Sequence, residues 1–223
     1  MNEPCLMILS DAAAAPGSPG EERWLDEVLP AVLGGARPGT IVVQLRHKDA
    51  SARRRLSLAE RLRQITAEQG QLLLVNDRVD LARAVAADGV HLPEEGMSVT
   101  QARALLGSEG WWISRAWHGE PFGAAAQDSM ADLLILSPVL EPRKGRAALG
   151  RAGIEAVLAG AWPPEATGEG RPRVFGLGGV SPKNVVTCRA AGLAGVAVLG
   201  GAATREGGLA LVDALGIRAS LER

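Results

Sequence analysis

Two basic residues, Arg46 and Lys48, follow a short apolar run in the stretch QLRHKD. Alternate side chains of an extended backbone point the same way, so both cations are expected to face one site. A paired positive charge of this kind favours a phosphorylated substrate. The alternative is a purely structural ion pair with Asp49 or Asp77.

An amide and a carboxylate, Asn76 and Asp77, end the next apolar run, in LLLVNDRVDLA. At the end of a strand these two groups could hold Mg²⁺ or hydrogen-bond a polar ring. An aspartate before a helix is also a common helix cap, so the motif alone leaves both interpretations open.

Two further candidates lie in later segments. His118, in SRAWHG, could act as a general acid or base, although a structural role is the commoner explanation for a single histidine. Lys144, in SPVLEPRKGRAALG, lies on a loop with Pro and Gly and could reach a substrate anion, although a solvated lysine is the default.

Two glycine pairs, Gly178 with Gly179 and Gly200 with Gly201, follow the last two apolar runs. Backbone without side chains that leads into a helix N-terminus is the usual arrangement of a phosphate site in barrels. Tight turns alone would also require glycine. The pairing at two successive loops nevertheless predicts phosphate binding.

The elements that must position these residues alternate between short apolar runs and longer segments with helical spacing, the pattern of parallel βα units. Eight such units predict a closed (β/α)8 TIM barrel that forms one domain over residues 1–223. The expected strands are Cys5–Ser10, Ile41–Arg46, Leu72–Asn76, Gly89–Leu92, Trp112–Ala116, Leu133–Leu136, Val174–Leu177 and Val196–Leu199.

Helix signals occur between these runs. Leu56, Leu62 and Ile65 have the spacing of one buried helix face. The segment SVTQARALLG begins with a Ser/Thr cap and ends at a glycine. The last two helices are expected to begin at Ser181 with Pro182 and at Thr204, and Trp162–Pro172 is expected to be a surface loop.

Charge, the N-terminal residues and cysteine spacing argue against several classes of protein. With 24 Lys+Arg and 25 Asp+Glu, the net charge of -1 argues against a nucleic-acid partner. The opening MNEPCLMILSD matches neither a signal peptide nor a membrane span, so we expect a cytoplasmic protein. Cys5 and Cys188 lack metal or redox spacing and are expected to be buried thiols. A homo-oligomer is compatible with the sequence.

The order QLRHKD, LLVNDRVDLARAVAADGVHL, SPVLEPRKG and GLGGVSPKNVVTCRAAGLAGVAVLGG resembles the thiamine phosphate synthase and TenI superfamily over nearly the whole chain. The resemblance implies a barrel in which a thiazole phosphate couples to hydroxymethylpyrimidine pyrophosphate and pyrophosphate is released. It also implies that Mg²⁺ and basic residues hold the diphosphate. By position, Arg46, Lys48, Asn76 and Lys144 would contact the pyrimidine pyrophosphate, Asp77 would bind Mg²⁺, and the four glycines would hold the thiazole phosphate.

The sequence departs from the family pattern after GVHL. The synthases usually carry a Gly-Gln-acid-Asp run there, and its last Asp is the second metal ligand, whereas this chain reads Pro93–Gly96. Glu95 could approach the metal from one position earlier, but with a different reach and angle. The usual threonines before Lys144 are also missing, and Ala116 and Trp117 stand where a serine is expected ahead of His118.

Three functions are therefore compatible with the resemblance. The first is a thiamine phosphate synthase with altered metal binding. The second is a TenI-like thiazole tautomerase that uses His118 for proton transfer. The third is a barrel without catalytic activity that binds a thiamine-related phosphate.

Overall fold

Eight parallel strands form a closed barrel in the computed structural model, which describes residues 3–107, 110–119, 131–161 and 171–220. The first and last strands pair directly, with Leu6 opposite Val196, so the barrel closes as predicted. The strands are β1 Leu6–Leu9, β2 Ile41–Leu45, β3 Leu72–Asn76, β4 Gly89–Leu92, β5 Trp112–Trp117, β6 Leu133–Leu136, β7 Arg173–Leu177 and β8 Gly195–Val198. Each lies within one residue of its predicted bounds at either end.

Both faces of the strands are buried, which is why the strands read as continuous apolar runs. One set of alternate residues packs inside the barrel and comprises Met7, Leu9, Val42, Leu74, Leu133, Ile135, Phe175 and Ala197. The other set faces the surrounding helices. Phe175 fits inside because a Cβ added at Gly195 would lie 2.6 Å from its ring.

The helices surround this barrel. They are α1 Glu21–Arg23, α2 Leu29–Gly34, α3 Ala52–Glu68, α4 Val79–Ala84, α5 Val99–Leu106, α6 Gly150–Gly160, α7 Val185–Ala190 and α8 Arg205–Ala214. A π-helical stretch, Trp24–Val28, joins α1 to α2. The predicted caps of α5 and α8 are confirmed: Ser98 forms a capping box with Gln101, and Thr204 accepts a hydrogen bond from the Gly207 amide.

Two helix predictions are wrong in detail. Leu56 is 39% exposed, and Leu58 joins Leu62 and Ile65 on the buried face of α3 instead. The helix after β7 begins at Val185, because residues 182–184 form a turn in which the Asn184 side chain accepts a hydrogen bond from the Ser181 amide. Ser181 and Pro182 therefore precede the helix rather than start it.

Two aspartates secure the N-terminal ends of the strands. Asp88, just before β4, accepts hydrogen bonds from the Leu73 amide at 2.7 Å and from Arg63 at 2.6 Å. Asp132, just before β6, does the same for the Ile113 amide at 2.6 Å and for Arg103 at 2.7 Å. Each carboxylate thus ties the start of a neighbouring strand to a helix.

Three other expectations concern the cysteines, the loop after α6 and membrane spans. Cys188 is buried as predicted, whereas Cys5 is only partly buried, and burial raises the pKa of both thiols. Residues 162–170 of the expected surface loop lie outside the described residues. Within the described ranges, no helix combines the length and apolar character needed to cross a membrane.

Candidate active site

A cavity of about 720 Å³ lies at the C-terminal ends of the strands, where TIM barrels carry their active sites. It collects every residue that the sequence singled out for diphosphate or metal binding, together with His118. Its lining comprises Arg46, Lys48, Asn76, Asp77, His91, Pro93, Glu94, Glu95, Ala116, His118, Ser137, Pro138, Arg143, Lys144, Gly145, Arg146 and Leu177.

Strand alternation explains why these side chains converge. Val42 packs inside the barrel, and Arg46 follows it at even spacing directly after β2, so Arg46 extends the inward row of this strand. Lys48 reaches the cavity from the turn that follows, in which the Ala50 amide donates to the His47 carbonyl. Asn76 continues the inward row of Leu74 in the same way. The apolar residues of each row fill the barrel, and the polar residues at its end line the cavity.

Arg46 is anchored by a residue that the sequence did not single out. Its guanidinium forms an ion pair with Asp11, which also accepts a hydrogen bond from the His47 amide at 3.2 Å. The alternative interpretation, an ion pair with Asp49 or Asp77, is therefore wrong for Arg46, which has a structural ion pair with Asp11 instead. The side chain of Lys48 forms neither a hydrogen bond nor an ion pair with any described residue.

Asp77 does not cap the following helix. Its backbone has a positive φ of 67°, its amide donates to the His91 carbonyl at 2.8 Å, and α4 begins only at Val79, without a side-chain cap. The carboxylate is exposed to the cavity and has no hydrogen-bond or ion-pair partner among the described residues. The alternative interpretation of Asp77 as a cap is thus excluded.

His91 is a site residue that sequence reasoning missed. It lies on the inward row of β4, only 8% exposed, and its Nδ1 is 2.9 Å from the Ser114 hydroxyl. Burial, reinforced by the charges of Lys48, Arg46 and Arg115, lowers its pKa to about 3. The imidazole is therefore neutral at physiological pH. The sequence could have identified His91, because its place in the run GVHL puts it on the inward face of the strand.

His118 has both ring nitrogens close to protein groups. Nδ1 lies 2.6 Å from the Ser137 carbonyl oxygen, which makes Nδ1 the protonated nitrogen. Nε2 lies 3.1 Å from Arg146 and 3.2 Å from Glu94. Sequence reasoning did not identify either of these two contacts.

Lys144 lies at the tip of a small hairpin, residues 143–146, which we call the Lys144 hairpin. The backbones of Arg143 and Arg146 exchange two hydrogen bonds of 3.0 Å. The two residues between them, Lys144 and Gly145, have φ values of 50° and 76°, as a type I′ turn requires. This turn places Lys144 on the cavity wall, and its side chain has no partner among the described residues.

The glycine pairs lie beside this cavity and are not part of its lining, which reaches β7 only at Leu177. The two loops are adjacent, since a Cβ added at Gly201 would lie 3.2 Å from the Val180 carbonyl oxygen. Glu141 packs against Gly179, whereas Gly200 faces open space. The predicted phosphate site thus has its open side at the β8 loop.

The family model for thiamine monophosphate synthase matches residues 16–202. The chain belongs to this family. A putative thiamine-phosphate synthase from Geobacter sulfurreducens is 44% identical over 167 residues, which cover 74% of this chain and 75% of that protein. The thiamine-phosphate synthase of Haloquadratum walsbyi is 35% identical over 175 residues, with 76% and 73% covered.

A solved structure supports the same assignment. Thiamine phosphate pyrophosphorylase from Pyrococcus furiosus superposes with a TM-score of 0.72 at 26% identity, and the match covers 95% of each chain. The barrel of this thiamine monophosphate synthase family member therefore agrees with a solved relative over nearly its full length.

The fit of a Mg²⁺ ion to this family member depends on Asp77. No group of three or more His, Cys, Asp or Glu residues in the described part of the chain could hold a metal. A Cβ added at Gly96 would lie 3.5 Å from Asp77 Oδ1, so a carboxylate at position 96 would adjoin Asp77. Mg²⁺ is commonly held by one or two carboxylates plus substrate phosphates and water. The donors present fit an ion to which the diphosphate also contributes oxygens.

Proposed function

We propose that this protein is a thiamine phosphate synthase, which couples hydroxymethylpyrimidine pyrophosphate to a thiazole phosphate and releases pyrophosphate. The observation that carries the proposal is the convergence of Arg46, Lys48 and Lys144 with Asn76 and Asp77 in one cavity of a family member. We also propose that residues 1–223 form a single barrel domain.

The reaction breaks the bond between the pyrimidine methylene carbon and the diphosphate oxygen, and the bonding electrons leave with pyrophosphate. The thiazole nitrogen then forms the new carbon–nitrogen bond with its lone pair. Negative charge grows on the leaving oxygen, so Arg46, Lys48 and Lys144 stabilise the transition state more than the ground state. No general base is required.

The surrounding residues orient these groups. Asp11 holds the Arg46 guanidinium, and Asn76 supplies an amide for the pyrimidine pyrophosphate. Asp77 would hold Mg²⁺, with Glu95 on the same rim, and the bound ion would neutralise charge on the diphosphate. The amides around Gly178, Gly179, Gly200 and Gly201 would receive the thiazole phosphate.

A thiazole tautomerase is the second candidate. His118 lines the cavity, and position 96 lacks a carboxylate, so a metal-independent proton transfer fits the same residues. The contacts of His118 argue against the tautomerase. Nδ1 is hydrogen-bonded to the Ser137 carbonyl, and Nε2 lies beside Arg146 and Glu94. A proton-transfer role would require the imidazole to exchange these contacts for the substrate.

The deciding experiment supplies both synthase substrates to the purified protein and measures pyrophosphate release against Mg²⁺ concentration. We expect Mg²⁺-dependent release, and we expect Asp77→Ala to lower kcat/KM by about 10²-fold or more. His118→Ala should cost less. Gly96→Asp, which places a second carboxylate near Asp77, should lower the Mg²⁺ concentration required. Because Gly96 has a φ of 154°, where a side chain is strained, the Tm of this variant is measured alongside.

Two results would reverse this conclusion. Release that is undetectable at high Mg²⁺ and is not rescued by Gly96→Asp would reject the synthase. Isomerisation of a thiazole carboxylate phosphate without metal, with a loss of about 10²-fold in His118→Ala, would establish the tautomerase. Binding of thiamine-related phosphates with neither reaction would indicate a barrel without catalytic activity.

A further inference from the structure

The Lys144 hairpin, which follows β6, is joined to the loop after β4 by one side chain. Arg146 Nη2 donates to both carboxylate oxygens of Glu94, at 2.9 and 3.1 Å, across 52 positions of sequence. Arg146 Nη1 lies 3.1 Å from His118 Nε2. A guanidinium fixed at both terminal nitrogens defines the orientation of the backbone that carries it.

The Glu94 end of this connection is itself held firmly. Arg115 on β5 donates to the carbonyl oxygens of Pro93, Glu94 and Met97, at 3.1, 3.2 and 3.2 Å. The loop after β4 is therefore tied to the neighbouring strand. Glu94 thus presents its carboxylate from a supported backbone.

The charge of Glu94 is otherwise unfavourable at this position. A carboxylate at the rim of a cavity for an anion opposes binding by simple Coulomb repulsion. Both carboxylate oxygens of Glu94 nevertheless face Arg146, so the charge is directed at the guanidinium and not at the anion site.

We propose that Glu94 and Arg146 are positioning residues that hold the Lys144 hairpin so that the Lys144 ammonium reaches the diphosphate. The identity of the ligand rests on the proposed function. Arg146 acts through its planar fork, with Nη2 on Glu94 and Nη1 on His118, and neither residue needs to touch the substrate. The backbone of Lys144 is restrained by the turn, by the Arg143–Arg146 backbone pair and by the contact with Glu94, so its flexible side chain extends from a fixed position.

The test measures the affinity of inorganic pyrophosphate with Mg²⁺ by calorimetry in a double-mutant cycle. Glu94→Gln should weaken binding about five- to tenfold, although it removes a negative charge. In the Lys144→Ala background the same substitution should cost nothing further, because the group that it positions is absent. Arg146→Lys, which keeps the charge but cannot contact Glu94 and His118 through two separate nitrogens, should behave like Glu94→Gln.

A matched control and a structural readout complete the design. Glu155→Gln breaks a comparably exposed ion pair, Arg151–Glu155 on α6, and should leave pyrophosphate affinity unchanged. Trypsin should cut within residues 143–146 faster in Glu94→Gln than in the wild type, with no change in Tm, since the hairpin residues are exposed.

The outcomes separate this proposal from the proposed function. Tighter or unchanged pyrophosphate binding in Glu94→Gln would overturn the positioning role, as would an equal loss in the Lys144→Ala background. Wild-type protein that forms thiamine phosphate but shows such a result would leave only the synthase assignment standing. Protein that shows the expected cycle but no product would support the positioning and refute the synthase. Absence of pyrophosphate binding in the wild type would overturn the positioning proposal, and the coupling assay alone would then decide the synthase assignment.

Discussion

The two ends of the barrel use charged side chains in opposite ways. At the N-terminal ends of the strands, Asp88 and Asp132 each accept a backbone amide and an arginine. At the C-terminal ends, the side chains of Lys48, Asp77 and Lys144 form no hydrogen bond or ion pair within the described residues. The N-terminal end pairs these charges internally. The C-terminal end also has ion pairs, Arg46–Asp11 and Arg146–Glu94, but it leaves these three side chains for a ligand.

This difference separates stability from function within one fold. A paired carboxylate that receives a strand amide stabilises the folded chain, and removing it leaves donors without acceptors. An unpaired cation that faces a cavity gains nothing on folding and gains much when an anion binds. Substitutions at the two ends should therefore change different measured quantities.

The largest expected effect is on catalysis at the C-terminal end. Lys48→Ala should lower kcat/KM for the coupling reaction by at least about 10²-fold, because a cation that stabilises the leaving pyrophosphate is lost. Tm should stay the same, since the side chain has no partner to lose. Steady-state kinetics and a thermal melt check both parts. A lower Tm with unchanged kinetics would contradict the assignment of function to the C-terminal end and of stability to the N-terminal end.

The next effect is on stability at the N-terminal end. Asp132→Ala removes the acceptor of the Ile113 amide and of Arg103, so the free energy of unfolding should fall by about 2 to 3 kcal/mol. Urea unfolding measures this loss. kcat measured well below Tm should be retained. Glu155→Gln, at an exposed ion pair, serves as the control and should change neither quantity.

The smallest effect is a pH dependence of stability that arises from His91, a buried residue of the cavity. The folded-state pKa of His91, about 3, lies below its ordinary value of 6.5, so acid favours the unfolded chain, which binds the proton more readily. The free energy of unfolding should fall by about 1.5 kcal/mol between pH 6.5 and 5 from His91 alone. Urea unfolding of His91→Gln should show a flatter dependence over that interval. An identical slope in both proteins would exclude His91 as the cause.

The strands were predictable because parallel strands buried on both faces require apolar residues at nearly every position. Short runs such as LMIL and LLIL are typical of such strands. Alternation then predicted that Arg46 and Lys48 would face one site. Spacing was less informative for helices, since Leu56 and Leu58 are both apolar and only the packing of α3 decides which is buried.

The sequence by itself determined the barrel, the family and the residue types that line the cavity. These depend on local patterns and on motifs such as NDRVDLA and GLGG, which are read along the chain. Tertiary structure alone decided the partners of these residues: Asp11 for Arg46, and Glu94 with His118 for Arg146. Such pairs join residues 28 to 52 positions apart, and barrel closure rather than local preference brings them together.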